Sequence, residues 1–344
     1  MYKILSYNNL VVFTLIFAIA AATILYGGQD SGTDQAQGAS SETAAEPDAS
    51  EPTQTAQGDT GDTPPDPQEK SGQNPEDSEP SPEPEQQAEP EYIHVVFKDC
   101  DQFLSQHVTD DGLIDYANLR RKRSDLIHLM KDFGDVDIIE FAEWEQDDQV
   151  AFWINAHNIS AIKLIIDNYP IEPSRFKLFF YPANSIMHIS SPRTKKYFNI
   201  MGTEYTLDEM QEAIAVLTDN TKAFFGLCYA SMSSPPIRKD AYIGSKLEKQ
   251  LEAQLKAFIK SPEGVDVNYS ERKIYLPPAF KMFKDYIMKS HSTDLRFRAR
   301  DTETRAYLNL ASEYVEPQDT ILFTKVNFDI KFRKYNWLLN DTNQ

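Results

Sequence analysis

An abrupt change of composition at residue 92 constrains what this chain can fold into. Residues 28–91 hold 17 Asp or Glu, a single Lys70 and 10 of the 20 prolines, with no aromatic side chain before Tyr92. Such a stretch has too little apolar surface to offset the entropy lost on ordering, so it is predicted to be disordered. It also carries −16 of the formal net charge of −19; with Lys3 counted, −4 remains for residues 92–344. The acidity therefore belongs to a linker. The 253 residues that follow are apolar and aromatic enough for one large core.

Ahead of the linker, Leu10 to Tyr26 is an uncharged run of 17 residues. As a helix it would be about 26 Å long, close to the ~30 Å of a hydrocarbon core and longer than the apolar region of a typical secretory signal. Lys3 precedes the run, and Asp30 and Asp34 follow it, which directs the N-terminus to the cytoplasm. The expected order is a cytoplasmic N-terminus at 1–9, a transmembrane signal anchor at 10–26, a disordered linker at 27–91, and a globular domain at 92–344 in the periplasm or outside the cell. The alternative is a secreted chain cut after the Ala18-Ile19-Ala20 triplet. A coil of 64 residues reaches about 40–50 Å, root mean square, so the linker reads as a tether. The membrane is the one partner the sequence implies, and a protein or small-molecule partner is left open.

Within the domain, apolar spacing predicts a helical or mixed stretch over 93–107 and helices over Asn118 to Phe133 and Asp147 to Asn168, the last wrapped in apolar side chains and ended by Tyr169-Pro170. Thr206-Leu207-Asp208-Glu209 and Ser245-Lys246-Leu247-Glu248 read as capping boxes. A turn is expected at Asp110-Asp111-Gly112. Val265 to Tyr269 and Lys273 to Leu276 read as a hairpin, and Phe224 to Ala230 and Thr320 to Lys325 as further strands. The fold class expected is α+β, a helix-rich single domain with a small sheet. Arg120-Arg121-Lys122-Arg123 lies in an amphipathic helix and reads as a solvated face; no nucleic-acid partner is expected.

Three segments carry polar residues that could do chemistry: Phe152-Trp153-Ile154-Asn155-Ala156-His157-Asn158, Phe224 to Ile237, and Tyr335-Asn336-Trp337-Leu338-Leu339-Asn340. Together they resemble the domain-of-unknown-function family 547, whose usual text is FWINAYN, then HFALNCAS-x-SCPPL, then YDWSLN. The resemblance extends over about residues 100–340. It implies a site at which Cys, His and Glu side chains meet, as a thiolate nucleophile with its base would require. Several of those positions differ in this chain. Phe224 stands for the family's first His, Tyr229 for its Cys, Ser234 for its second Cys, and His157 for its Tyr. Met210, Gln211 and Glu212 stand where the family commonly reads Ile-Glu-His.

Cys228 is one residue out of register with the family's cysteine, which along a strand turns it to the other face. Three fates are open to it: a small buried side chain, a thiol served by His157, or a disulfide with Cys100. Catalytic candidates are accordingly Cys228, His157, Ser231 and Ser233; the candidate binding cluster is Asn155, His157, Tyr229 and Glu212. Asn155 and Asn158 share a helix face and could instead bond buried backbone. His94, His107, His128, His157, His188 and His291 form no H-x-x-x-H pair, and there is no Gly-rich phosphate loop or G-x-S-x-G, so neither metal nor cofactor is expected. The first reading is a domain acting by binding, its catalysis lost or altered. The alternative is a cysteine- or serine-type hydrolase or transferase.

Deleting residues 28–91 should leave the melting temperature of the domain unchanged within error, because this segment offers almost nothing to a core. Calorimetry of the two chains checks this; a clear drop would mean that the linker docks.

Overall fold

In the computed structural model, which describes residues 92–195 and 198–343, five helices precede the first strand. They are α1 (Val95–His107), α2 (Tyr116–Arg121), α3 (Ser124–Asp135), α4 (Ile138–Ala142) and α5 (Gln146–Asn168). The expected anchor at 10–26 and linker at 27–91 lie outside the described residues. Among the described residues, no helix is long and apolar enough to cross a membrane.

The helix expected over Asn118 to Phe133 is two helices. Lys122 leaves helical geometry at φ −113°, ψ 38°, and it and the three arginines around it are all exposed. The break lets Leu119 on α2 and Leu126, Leu129 and Met130 on α3 all reach the core. Helix α5 is buried on almost every side from Val150 to Ile162, as befits a helix apolar all round. Tyr169 then turns extended ahead of Pro170. Phe133, Phe141 and Trp144 pack tilted or edge to face on Phe152 at one end of α5.

A short hairpin follows, β1 (Phe198–Ile200) against β2 (Thr203–Tyr205). Its two turn residues, Met201 at φ 49° and Gly202 at φ 71°, have the left-handed backbone that tight hairpins use. Thr206 caps α6 (Leu207–Leu217) in the predicted box: Glu209 N–H donates to Thr206 Oγ1 at 3.0 Å, and Thr206 N–H to Glu209 Oε2 at 2.9 Å.

The second predicted box is absent. A 3-10 turn at Gly244–Lys246 leads into α7 (Leu247–Lys260), whose start has no side-chain cap. Glu248 is drawn to Lys222 at 2.6 Å and Asn220 at 2.8 Å. Gly244 lies against α5, its N–H donating to buried Asp148 at 2.9 Å. A Cβ there would come within 2.3 Å of the same carboxylate.

The hairpin β3 (Asp266–Asn268) and β4 (Lys273–Leu276) forms as predicted. Helices α8 (Ala279–Met282), α9 (Lys284–His291), α10 (Thr302–Ala311) and α11 (Pro317–Phe323) follow. Strand β5 (Asp329–Phe332) then joins β4 in parallel, Ile274 opposite Ile330. The strand expected over Thr320 to Lys325 is α11: Pro317 occupies its first turn, where a missing N–H costs nothing. The domain is thus a helix-rich α+β fold with two small sheets, one more than expected.

No strand covers Phe224 to Ala230 either. Thr221–Gly226 is a 3-10 helix, and the extended run after it finds its partners on a helix. Asn158 Nδ2 donates to Gly226 O, and Cys228 N–H donates to Asn158 Oδ1, both at 2.8 Å. One turn away, Asn155 Nδ2 donates to Tyr242 O at 2.8 Å and its Oδ1 accepts from Tyr242 N–H at 3.0 Å. Each amide stands in for a neighbouring strand.

Thr206→Ala should cost about 1 kcal/mol, a fall of roughly 2–4 °C in a domain of this size. Ser245→Ala should cost nothing measurable, and thermal melts of the two variants test the pair of assignments together.

Candidate functional site

Where the three motifs meet, the chain is extended from Leu227 to Tyr229, passes Ala230 at φ 48° and turns at Ser231–Ser234, where Ser234 N–H donates to Ser231 O at 3.1 Å. It is fixed to α5 by Asn158 and to the C-terminal motif by Met232 N–H donating to Leu338 O at 2.9 Å and Ser233 N–H to Asn336 O at 3.3 Å. Alternation along it sends Cys228 and Tyr229 into different surroundings.

Cys228 is 2% exposed. Its sulfur accepts from Ala230 N–H at 3.4 Å and faces Asn340 Nδ2 at 3.7 Å. Asn340 in turn accepts from the Tyr116 hydroxyl at 2.8 Å. Burial pushes the thiol up to about 11, against the pull of bonds from Ala230, Ser234 and Asn340. Cys100 is also buried, and burial raises its thiol well above the ordinary range. Neither cysteine is in a disulfide.

Tyr229 points into a second network. Its hydroxyl donates to Gln211 Oε1 at 2.5 Å, and the Arg193 guanidinium lies 4.4 Å from its ring centre. Arg193 Nη2 donates to Gln211 Oε1 at 3.0 Å and pairs with Asp208 at 2.5 Å. Burial raises the phenol to about 12 while Arg193 holds it down. His157 meets the Tyr229 ring edge to face at 5.4 Å. It is fully buried, with Nδ1 3.4 Å from Asn158 Oδ1 and, among the described residues, no hydrogen-bond partner at Nε2. Burial first, and the charge of Arg193 second, take its pKa down to about 3, so the ring is neutral at physiological pH.

Glu212 is not in this network. Residues Met210, Ala213 and Ile214 turn α6 inward, which leaves Glu212 exposed and brings Gln211 to Tyr229. Partial burial, with Asp208 and Glu209 beside it, raises the Glu212 carboxyl. Asn155 is bonded to the Tyr242 backbone. Arg193 carried no signal in the sequence: it follows Ser191, at φ 50°, in a loop with no periodicity.

Ser231 and Ser233 face elsewhere. The Ser231 hydroxyl is 2.8 Å from that of Tyr335. Ser233 is fully buried, donates to Glu263 Oε2 at 2.6 Å and accepts from Asn336 N–H at 2.9 Å. Beside them opens a cleft of about 650 Å³, lined by Ser231, Met232, Pro236, Gln254, Phe258 and Glu263, with Asp110 and Lys239 at its edge. Glu263 Oε1 receives no hydrogen bond from the described residues. Among the described residues no group of three or more His, Cys, Asp or Glu side chains is placed to hold a metal ion.

Residues 141–259 match the sequence model of the family described as Protein of unknown function, DUF547. The DUF547 match takes in His157, Arg193, Gln211, Tyr229 and Ser231, and stops short of Glu263 and the Tyr335–Asn340 motif, so it is narrower than the resemblance expected over 100–340. No curated protein and no solved structure matches the chain.

The depressed His157 has a measurable sign. Below its ordinary value of 6.5 the unfolded chain takes up a proton that the folded ring refuses until about pH 3, so stability falls as pH drops through that window and is insensitive to this residue above it. The stability advantage of the wild type over His157→Gln should therefore shrink between pH 6.5 and 3, with a slope approaching about 1.4 kcal/mol per pH unit. Urea unfolding at a series of pH values measures it; a difference that does not change with pH would contradict the neutral, buried ring.

Proposed function

We propose that this chain is a membrane-tethered domain, exported from the cytoplasm, that acts by binding a ligand in the cleft beside Ser231 without thiol catalysis. The observation that carries this reading is the closure of the Tyr229 position. Where the resemblance implies a nucleophile, a phenol is bonded to Gln211 and covered by Arg193. The neutral His157 lies beside it.

The alternative, an enzyme using Cys228, Ser231 or Ser233 with His157 as base, has less support. A base must lie within hydrogen-bond reach of its nucleophile, directly or through one water. The Cys228 sulfur is held by Ala230 and Asn340, Ser231 by Tyr335, and Ser233 by Glu263.

Support for binding comes from the composition of the cleft. Met232, Pro236, Ala257 and Phe258 supply apolar wall, and a few polar groups converge on it, the usual make-up of a ligand site. Glu263, with one oxygen open, favours a ligand whose apolar body carries an ammonium or amide N–H donor. Support for the tether comes from the uncharged run at 10–26 with Lys3 on one side.

Full-length protein should resist extraction by salt and alkali and enter detergent; recovery of a soluble chain starting near Ala21 would sink the tether. In a thermal-shift screen of amines and short peptides, compounds that raise the melting temperature should lose that effect in Glu263→Gln and keep it in Cys228→Ala. Turnover of an ester or amide substrate that vanishes in Cys228→Ala would favour the enzyme.

A further inference from the structure

Residues 173–203 contain Arg175, Lys177, Arg193, Lys195 and Lys196 and no Asp or Glu, within a domain whose net charge is −4. The same stretch exposes the largest aromatic surface among the described residues: Phe176 is 86% exposed, Phe179 85% and Phe180 79%. These rings do not lie on a loose loop. Lys177 Nζ donates to Met187 O at 2.6 Å, and Ser174 N–H donates to His188 Nδ1 at 3.1 Å. With Nδ1 accepting, the opposite nitrogen Nε2 carries the proton and donates to Pro182 O at 2.9 Å. One imidazole thus clamps both ends of the segment, and Tyr181 packs edge to face on Trp337 at 5.6 Å. The bracing holds the backbone in place and leaves the three rings in water, and a fixed apolar group of this kind marks an interaction surface.

We infer that this loop is a lipid-contact site: Phe176, Phe179 and Phe180 enter the boundary between headgroups and acyl chains of an anionic bilayer, with the exposed Arg175 at the phosphates. The inference rests on the proposed membrane tether. Large apolar rings beside cations are what an interfacial site requires. A tether reaching about 40–50 Å keeps the loop close to the bilayer, at an effective concentration on the order of millimolar, so weak insertion is enough. Residues 28–91 contain no aromatic residue and no Leu, Ile, Val or Met with which to cover such rings.

The test uses the full chain in vesicles of phosphatidylglycerol and phosphatidylcholine. Phe179→Cys carries an environment-sensitive fluorophore, and Lys249→Cys on the charged face of α7 serves as control; both native cysteines are buried. Emission at 179 should shift to the blue and be quenched severalfold more by doxyl-labelled lipid than at 249. Adding Phe176→Ser and Phe180→Ser should bring quenching at 179 down to the control, since each ring withdrawn from water is worth about tenfold in partitioning. The rings are exposed, so these variants fold, and the chain should still float with the vesicles. Flotation without quenching at 179 overturns the lipid site and leaves the tether standing. Failure to float overturns the tether and the inference resting on it. A blue shift that grows with protein density and ignores doxyl lipid assigns the loop to a protein partner and overturns the lipid site.

Discussion

Two side-chain amides on a buried helix hold the centre of this domain. Asn155 and Asn158 each present a donor and an acceptor on one face of α5, and extended backbone on either side takes them up. Together they satisfy Gly226 O, Cys228 N–H and both backbone groups of Tyr242. A buried group left unpaired costs about 1–3 kcal/mol. The run from Cys228 to Ser234 has no ladder of its own, so its placement depends on these bonds, and with it the identity of the side chains that face each network.

From that placement the separation of Cys228 and Tyr229 follows. The thiol closes a chain of bonds with Asn340 and Tyr116. The phenol closes another with Gln211, Arg193 and Asp208. A sequence position moved by one residue is therefore a change of neighbours, from a buried amide to a guanidinium, and the two residues are not interchangeable in chemistry.

Much of this was legible beforehand where the pattern is local. The long helix and its Pro170 stop, the Thr206–Glu209 box and the β3–β4 hairpin follow from spacing or turn chemistry, and the grouping of the three motifs from the family resemblance. The misses share a different origin. Phe224 to Ala230 has strand composition, but its hydrogen bonds go to side chains, which composition cannot report. The apolar run at Thr320 to Phe323 is too short to distinguish helix from strand by period, and Pro317 decides it. Glu212 and Gln211 differ by about 100° of helix rotation, set by which face of α6 is buried. Arg193 lies in a loop and joins residues of three separate segments, a relation that only tertiary packing creates.

The C-terminal motif is a structural wall as well as a resemblance. Ile114 N–H donates to Asn340 O and Thr342 N–H donates to Ile114 O, while Met232 and Ser233 donate to Leu338 and Asn336. Tyr335 reaches Ser231 across 104 residues of chain. In a polypeptide emerging from its N-terminus, Cys228 and Ser231 therefore wait for Asn340 and Tyr335, which are made much later, and contacts of such separation form slowly. Of the residues that line the cleft, Asn340 is the last to be made, so the cleft wall is complete only once the end of the domain has been synthesised.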